Sequence, residues 1–181
     1  MKICIFCGAN SSLDSDVEVM AKKVMTFFGE KKIELVYGGA AIGVMGTLAT
    51  DLMVRGGRVT GIIPQHLMTK EVAHGGLTEL IVTKDMHERK QTMYKMSDAF
   101  LIFPGGMGTL DELFEIVTWR QLGLHGKPIA IMNINGYYDS LLKFLDHAVK
   151  QGLIKQKDRD IIFASSSWEE IWGHFSESKH G

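Results

Sequence analysis

The stretch Pro104-Gly105-Gly106-Met107-Gly108-Thr109-Leu110-Asp111-Glu112 constrains this chain more than any other. Ahead of it stands Ala99-Phe100-Leu101-Ile102-Phe103, a short apolar run bounded by a turn signal, which is how a fully buried strand reads. Behind it, Leu110, Leu113, Phe114 and Val117 recur at helical spacing. The glycines therefore sit where a strand hands over to a helix. In an open α/β sheet that junction lies at the carboxyl ends of the strands, where ligands bind. Glycines let the backbone approach a ligand without Cβ atoms in the way. The unpaired N–H groups of the first helical turn, with the helix dipole, favour a phosphate or another small anion there.

Thr109 and Glu112 admit two readings. Their spacing is that of a capping box, in which Thr109 caps the helix and Glu112 reaches back to its amide. Alternatively, Thr109 is a phosphate ligand and Glu112 a working carboxylate aimed into the cleft. An ordinary cap has no need of Gly105, Gly106 and Gly108 together, and this tips the balance to function.

Strands are expected at residues 2–6, 33–37, 58–63, 79–83, 99–103, 128–132 and 161–163. Helices are expected at 14–30, from the second glycine turn to about Val54, from Met86, from the central motif to about Gln121, at 138–150 and at 168–175. This alternation implies an α/β fold, a Rossmann-like doubly wound parallel sheet with helices on both faces. At 181 residues, without linkers or repeats, it is read as one nucleotide-binding domain spanning residues 1–181.

The second glycine turn, Gly38-Gly39-Ala40-Ala41-Ile42-Gly43-Val44-Met45-Gly46, lacks the Gly-Lys-Ser/Thr of a P-loop. It can serve either close helix–strand packing or a shared cleft. The first turn, at Gly8, lacks the dinucleotide fingerprint, which counts against a nicotinamide-dependent dehydrogenase. Residues 65–76 read as a loop with one helical turn and a candidate flap over the cleft. His66 and His74 have no third ligand at useful spacing for zinc. Cys4 and Cys7, three apart on a strand, point to opposite faces, so two reduced structural thiols are expected rather than a redox or metal pair.

Lys plus Arg number 20 against 21 for Asp plus Glu, so no basic field exists to recruit nucleic acid. The apolar start, Ile3-Cys4-Ile5-Phe6-Cys7, is too short for a signal-peptide core, and no run is long enough to span a membrane. A cytoplasmic protein is expected. In Met86-His87-Glu88-Arg89-Lys90, strand–helix–strand order brings Arg89 near the carboxyl ends of the strands, where an arginine can hold a phosphate or carboxylate bidentately.

The central motif taken with Met86-His87-Glu88-Arg89-Lys90 resembles the LONELY GUY (LOG) family of cytokinin riboside 5′-monophosphate phosphoribohydrolases, whose members have often been labelled lysine decarboxylases. The resemblance extends over Phe6-Cys7-Gly8, Tyr37-Gly38-Gly39, Gly43-Val44-Met45-Gly46 and Ile63-Pro64. It departs at Ala9-Asn10, where relatives commonly carry serine after the glycine. It implies a homodimer, with a contact through the helix at 110–121, and hydrolysis of a nucleoside 5′-monophosphate to free base and ribose 5-phosphate. Arg89 and Glu112 correspond to the catalytic pair. Gly105, Gly106, Gly108 and Thr109 correspond to the phosphate turn, with Lys90, Gly43, Met86, Gly8 and Glu115 completing the expected substrate site. Glu115 and Asp111 are candidates for protonating the leaving base.

The chemistry suits those residues, because cleaving an N-glycosidic bond develops positive charge on the ribose that a carboxylate can stabilise. Arg89 is expected to keep Glu112 ionised by lowering its pKa. The scheme requires no metal and no cofactor. The rival reading is a non-catalytic carrier of a phosphorylated ligand, such as a molybdenum-cofactor carrier. The decarboxylase label would require a Schiff-base lysine.

Overall fold

A computed structural model describes residues 1–8, 15–68 and 74–178. Along the chain run β1 (Lys2–Phe6), α1 (Ser15–Lys31), β2 (Glu34–Tyr37), α2 (Gly43–Val54), β3 (Val59–Pro64) and β4 (Glu79–Thr83). There follow α3 (Met86–Met96), β5 (Ala99–Ile102), α4 (Met107–Gln121), β6 (Ile129–Met132), α5 (Asp139–Lys150), α6 (Gln156–Arg159), β7 (Ile162–Ser165) and α7 (Trp168–Glu177). Sequence periodicity located each of these except the single turn α6.

Every strand pair is parallel, in the order β4-β3-β2-β1-β5-β6-β7. This is the Rossmann-like doubly wound sheet expected from the alternation of elements. The chain moves outward from β1 to β4, then α3 carries it back across the sheet to β5 on the other side of β1. That reversal places the switch point between β1 and β5, and the crevice there is where such sheets bind ligands.

The central strands are apolar on both faces because both faces are covered. On one face α1, α2 and α7 bury Phe28, Leu48, Trp168 and Phe175 against Ile3, Ile5 and Leu35. On the other, α3, α4 and α5 bury Met93, Leu113, Ile116 and Leu145 against Phe6, Phe100 and Ile131. Cys4 and Cys7 fall in opposite cores, both buried and free, as their odd spacing on a strand requires. Burial pushes both thiols up, so neither offers a thiolate near neutral pH. Strand β4 lies at the sheet edge and exposes Glu79, Leu80 and Val82.

The second glycine turn is a packing device over much of its length. Gly43 lies in the left-handed region at φ 60°, and a Cβ on Gly46 would strike the Ala41 carbonyl. His74 packs its loop, with Nε2 3.0 Å from the Thr50 hydroxyl and Nδ1 accepting from the Gly76 N–H at 3.3 Å. Residues 69–73 of the expected flap lie outside the described residues, as do Ala9 and Asn10.

Candidate active site

Helix α4 starts at Met107 with Gly106 as its N-cap, and no side chain caps it. Thr109 is the third residue of the helix, not its cap, which rules out the capping box. The first-turn N–H groups of Met107, Gly108 and Thr109 have no intrahelical acceptor by helix geometry. They open on the cleft at the switch point, with the positive end of the α4 dipole behind them.

A box of the capping kind does exist, at the start of α3. The Asp85 carboxylate accepts from the Glu88 N–H at 2.8 Å, and the Glu88 carboxylate accepts from the Lys84 N–H at 2.8 Å. The amide hydrogen bond holds the Asp85 carboxyl below its ordinary range. This arrangement sets the entry of α3 and hence the direction of Arg89, one residue past the box.

Arg89 is buried beneath the cleft. Its Nε donates to the Ile62 carbonyl at 3.0 Å and its Nη2 to the Gly38 carbonyl at 3.3 Å. Carbonyls of β3 and of the turn after β2 thus orient the guanidinium, and Nη1, which donates to Met86 Sδ at 3.8 Å, faces Glu112 Oε1 at 3.9 Å. That separation is an ion-pair contact without a hydrogen bond, so both groups keep capacity for a guest. Gly38 makes room for this arginine, since a Cβ there would collide with Arg89 Nη2 and lie 3.0 Å from Met45 Sδ.

Glu112 is buried on α4, one turn below Thr109. Burial pushes its carboxyl up to about 7; the Arg89 and Lys90 charges pull the other way, and Asp111 and Glu115 add to the rise. The expectation that Arg89 holds Glu112 low is therefore overturned. Loss of hydration outweighs a cation 3.9 Å away that is shared with two carbonyls. Lys90 Nζ lies 3.0 Å from Asp111 Oδ2 and 3.3 Å from Glu115 Oε2. Burial pulls the Lys90 ammonium down, but these two carboxylates more than offset it and its pKa is raised.

These groups surround a cavity of about 230 Å³. Of the residues expected from sequence, Gly8, Met86, Arg89, Gly106, Gly108, Thr109, Asp111 and Glu112 line it. Gly105 lies behind the turn, where a Cβ would collide with Thr109 Oγ1 and come within 2.9 Å of the Gly8 nitrogen. Lys90 and Glu115 pair with each other beside the cavity. Gly43 lines a separate shallow depression between α1 and α2. Sequence reasoning missed Gly38, Met45, Met93 and Cys7 in the cavity wall. Gly38 stood in a glycine turn following a strand, but nothing local says that an arginine fills the space above it. Among the described residues, no three His, Cys, Asp or Glu side chains are grouped as a metal ion would need.

Fold and site together define a Rossmann-like α/β protein whose cleft joins an anion-receptive helix start to a buried Arg–Glu pair. Comparison with known proteins narrows the class. Residues 45–175 match the family described as "Possible lysine decarboxylase". The chain is 42% identical to cytokinin riboside 5′-monophosphate phosphoribohydrolase LOG1 of Arabidopsis thaliana over 94% of this chain and 80% of that one. It thus belongs to the LONELY GUY family. Among solved structures it is similar to the structural-genomics target TM1055 (TM-score 0.74, 18% identity, 97% of this chain and 98% of that one). It is also similar to the Moco carrier protein of Chlamydomonas reinhardtii (TM-score 0.72, 15% identity, 99% and 97%). At such identities the likeness is one of fold.

Proposed function

We propose that this chain, as one nucleotide-binding domain, hydrolyses the N-glycosidic bond of a nucleoside 5′-monophosphate to free base and ribose 5-phosphate. Cytokinin riboside 5′-monophosphate and adenosine monophosphate are the substrates in view. The observation that carries this reading is a buried carboxylate facing an arginine across a cavity whose rim is a helix N-terminus. The high identity to a relative named for this reaction supports it.

The 5′-phosphate sits on the N–H groups at the start of α4, with the Thr109 hydroxyl beside it. Each such charge-assisted bond contributes about 1.5–3 kcal/mol, so a few suffice to anchor a monophosphate. Binding of that non-reacting group then positions the ribose over Glu112 and Arg89. The C1′–N bond breaks with its electron pair leaving on the base, while positive charge grows on the ribose. Glu112 stabilises that charge and takes a proton from the water whose oxygen bonds to C1′; the proton passes on to the departing base. A carboxyl with a pKa near 7 suits both steps, because it can take up and release a proton near neutral pH. Arg89 holds the ribose hydroxyls or the phosphate.

A carrier of a phosphorylated ligand has no need of a buried carboxylate there. A decarboxylase acting through a Schiff base needs a lysine in the cavity, and among the described residues none lines it. The same reading includes a homodimer in the cytoplasm. Phe114 on α4 and Leu153 line a depression of about 350 Å³ that a second copy would cover, which light scattering after gel filtration would detect. Among the described residues no helix is long and apolar enough to cross a membrane.

Product analysis with adenosine monophosphate and isopentenyladenosine monophosphate tests the reaction, using the wild type and Glu112→Gln. Free base and ribose 5-phosphate from the wild type, lost in the variant, are expected. Tight binding without product in both would return the protein to the carrier reading.

A further inference from the structure

Three successive carbonyls of the glycine turn are each held by a donor from another part of the chain. The Phe103 carbonyl accepts from the Tyr138 hydroxyl at 2.9 Å, the Pro104 carbonyl from the Gly8 N–H at 3.1 Å, and the Gly105 carbonyl from the Tyr137 hydroxyl at 2.9 Å. Among the described residues none accepts from the N–H of Gly106. Tyr138 is buried, and Gly8 belongs to the cavity wall. Tyr137 is different: it is 55% exposed, and its ring packs edge-on against Tyr138 at 4.8 Å.

In a trans peptide the C=O of one residue and the N–H of the next point in opposite directions. A donor that holds the Gly105 carbonyl therefore also sets the Gly106 N–H, which points away from Tyr137. A Gly–Gly peptide is the least restrained of all, having no Cβ on either side to resist rotation. Gly106 lines the cavity, whereas neither Gly105 nor Tyr137 does.

We propose that Tyr137 is a positioning residue that latches the Gly105–Gly106 peptide plane, so that the Gly106 N–H faces the phosphate of the substrate. The inference rests on the phosphate-binding reading given above. The latch has its own rigid base. Asn135 and Gly136 take positive φ values of 51° and 69°, the Asn133 side chain accepts from the Tyr138 N–H at 2.8 Å, and Asn135 donates to Asp16 at 2.8 Å. The turn that carries Tyr137 is thus pinned to α1 and cannot drift with the ring.

Tyr137→Phe keeps the ring and removes only the donor. The expected result is binding of ribose 5-phosphate and inorganic phosphate weakened about three- to tenfold, the effect of one hydrogen bond. KM for the nucleotide rises by the same factor with kcat unchanged, as for a contact made equally in ground and transition states. In the ligand-free protein the Gly106 amide resonance broadens by conformational exchange in the variant. A variant that matches the wild type in phosphate binding and in the Gly106 resonance overturns the proposal. If the wild type binds neither phosphate compound, the nucleotide reading fails. The Gly106 resonance then decides the latch alone: broadened in the variant it stands, unchanged it falls.

Discussion

Lys90 and Asp111 meet at 3.0 Å, and each is the chain neighbour of a member of the central pair, Arg89 and Glu112. The bridge therefore joins α3 to α4 one residue away from the groups proposed to do the chemistry. Glu115, one turn on from Asp111, doubles it at 3.3 Å. Lys90 was expected to touch substrate, and in the structure its ammonium is engaged by these two carboxylates.

Replacing Lys90 by Met removes a cation that lowers the pKa of Glu112 and leaves Asp111 and Glu115, which raise it. We expect the acidic limb of the pH–rate profile to move upward and kcat/KM at neutral pH to fall about tenfold, the order of a lost partly buried ion pair. A profile identical to that of the wild type would remove Lys90 from the argument.

The Glu112 carboxyl titrates near pH 7 in the folded protein against an ordinary value of 4.5. Between those values the native state holds a proton that the unfolded chain has lost. The stabilisation is complete below about pH 4.5 and is lost as pH rises through 7, by about 3 kcal/mol in all. Urea unfolding across pH 4.5 to 8.5 should show this slope in the wild type and its absence in Glu112→Gln. Catalysis should run the other way, with kcat/KM rising through about pH 7 as the carboxylate forms.

Gly38→Ala puts a methyl group where Arg89 Nη2 now lies. The backbone at Gly38 needs no positive φ, so the conflict is with side chains alone. Stability should fall by only about 1–2 kcal/mol, whereas kcat/KM should drop about 10²-fold through the displaced guanidinium. A thermal melt beside steady-state kinetics separates the two effects.

Thr109→Val tests the capping reading directly. A hydroxyl that capped α4 would take about 1 kcal/mol of stability with it. Because Gly106 is the cap, stability should change by less than about 0.5 kcal/mol and KM for the nucleotide should rise about tenfold instead.

Arg89→Lys keeps the charge and loses the planar fork. A single ammonium cannot reproduce donation from Nε and Nη2 to the Ile62 and Gly38 carbonyls while presenting a third nitrogen to the cavity. We expect kcat/KM to fall at least about 10²-fold with the fold intact by circular dichroism.

The sequence alone determined the alternation of strands and helices, the parallel sheet, the divergence of Cys4 and Cys7, and the glycine turn ahead of α4. Each is carried by residues a few positions apart, where a period of two or 3.6 or a cluster of glycines has direct geometric meaning. Tertiary structure decided the rest. That Thr109 is not a cap, that Gly38 yields its space to an arginine 51 positions away, and that Tyr137 holds the Gly105 carbonyl depend on how the α3 crossover and the β6–α5 turn come together. So does the state of Glu112, since its pKa follows from the water that the assembled cleft excludes, and no local pattern records that.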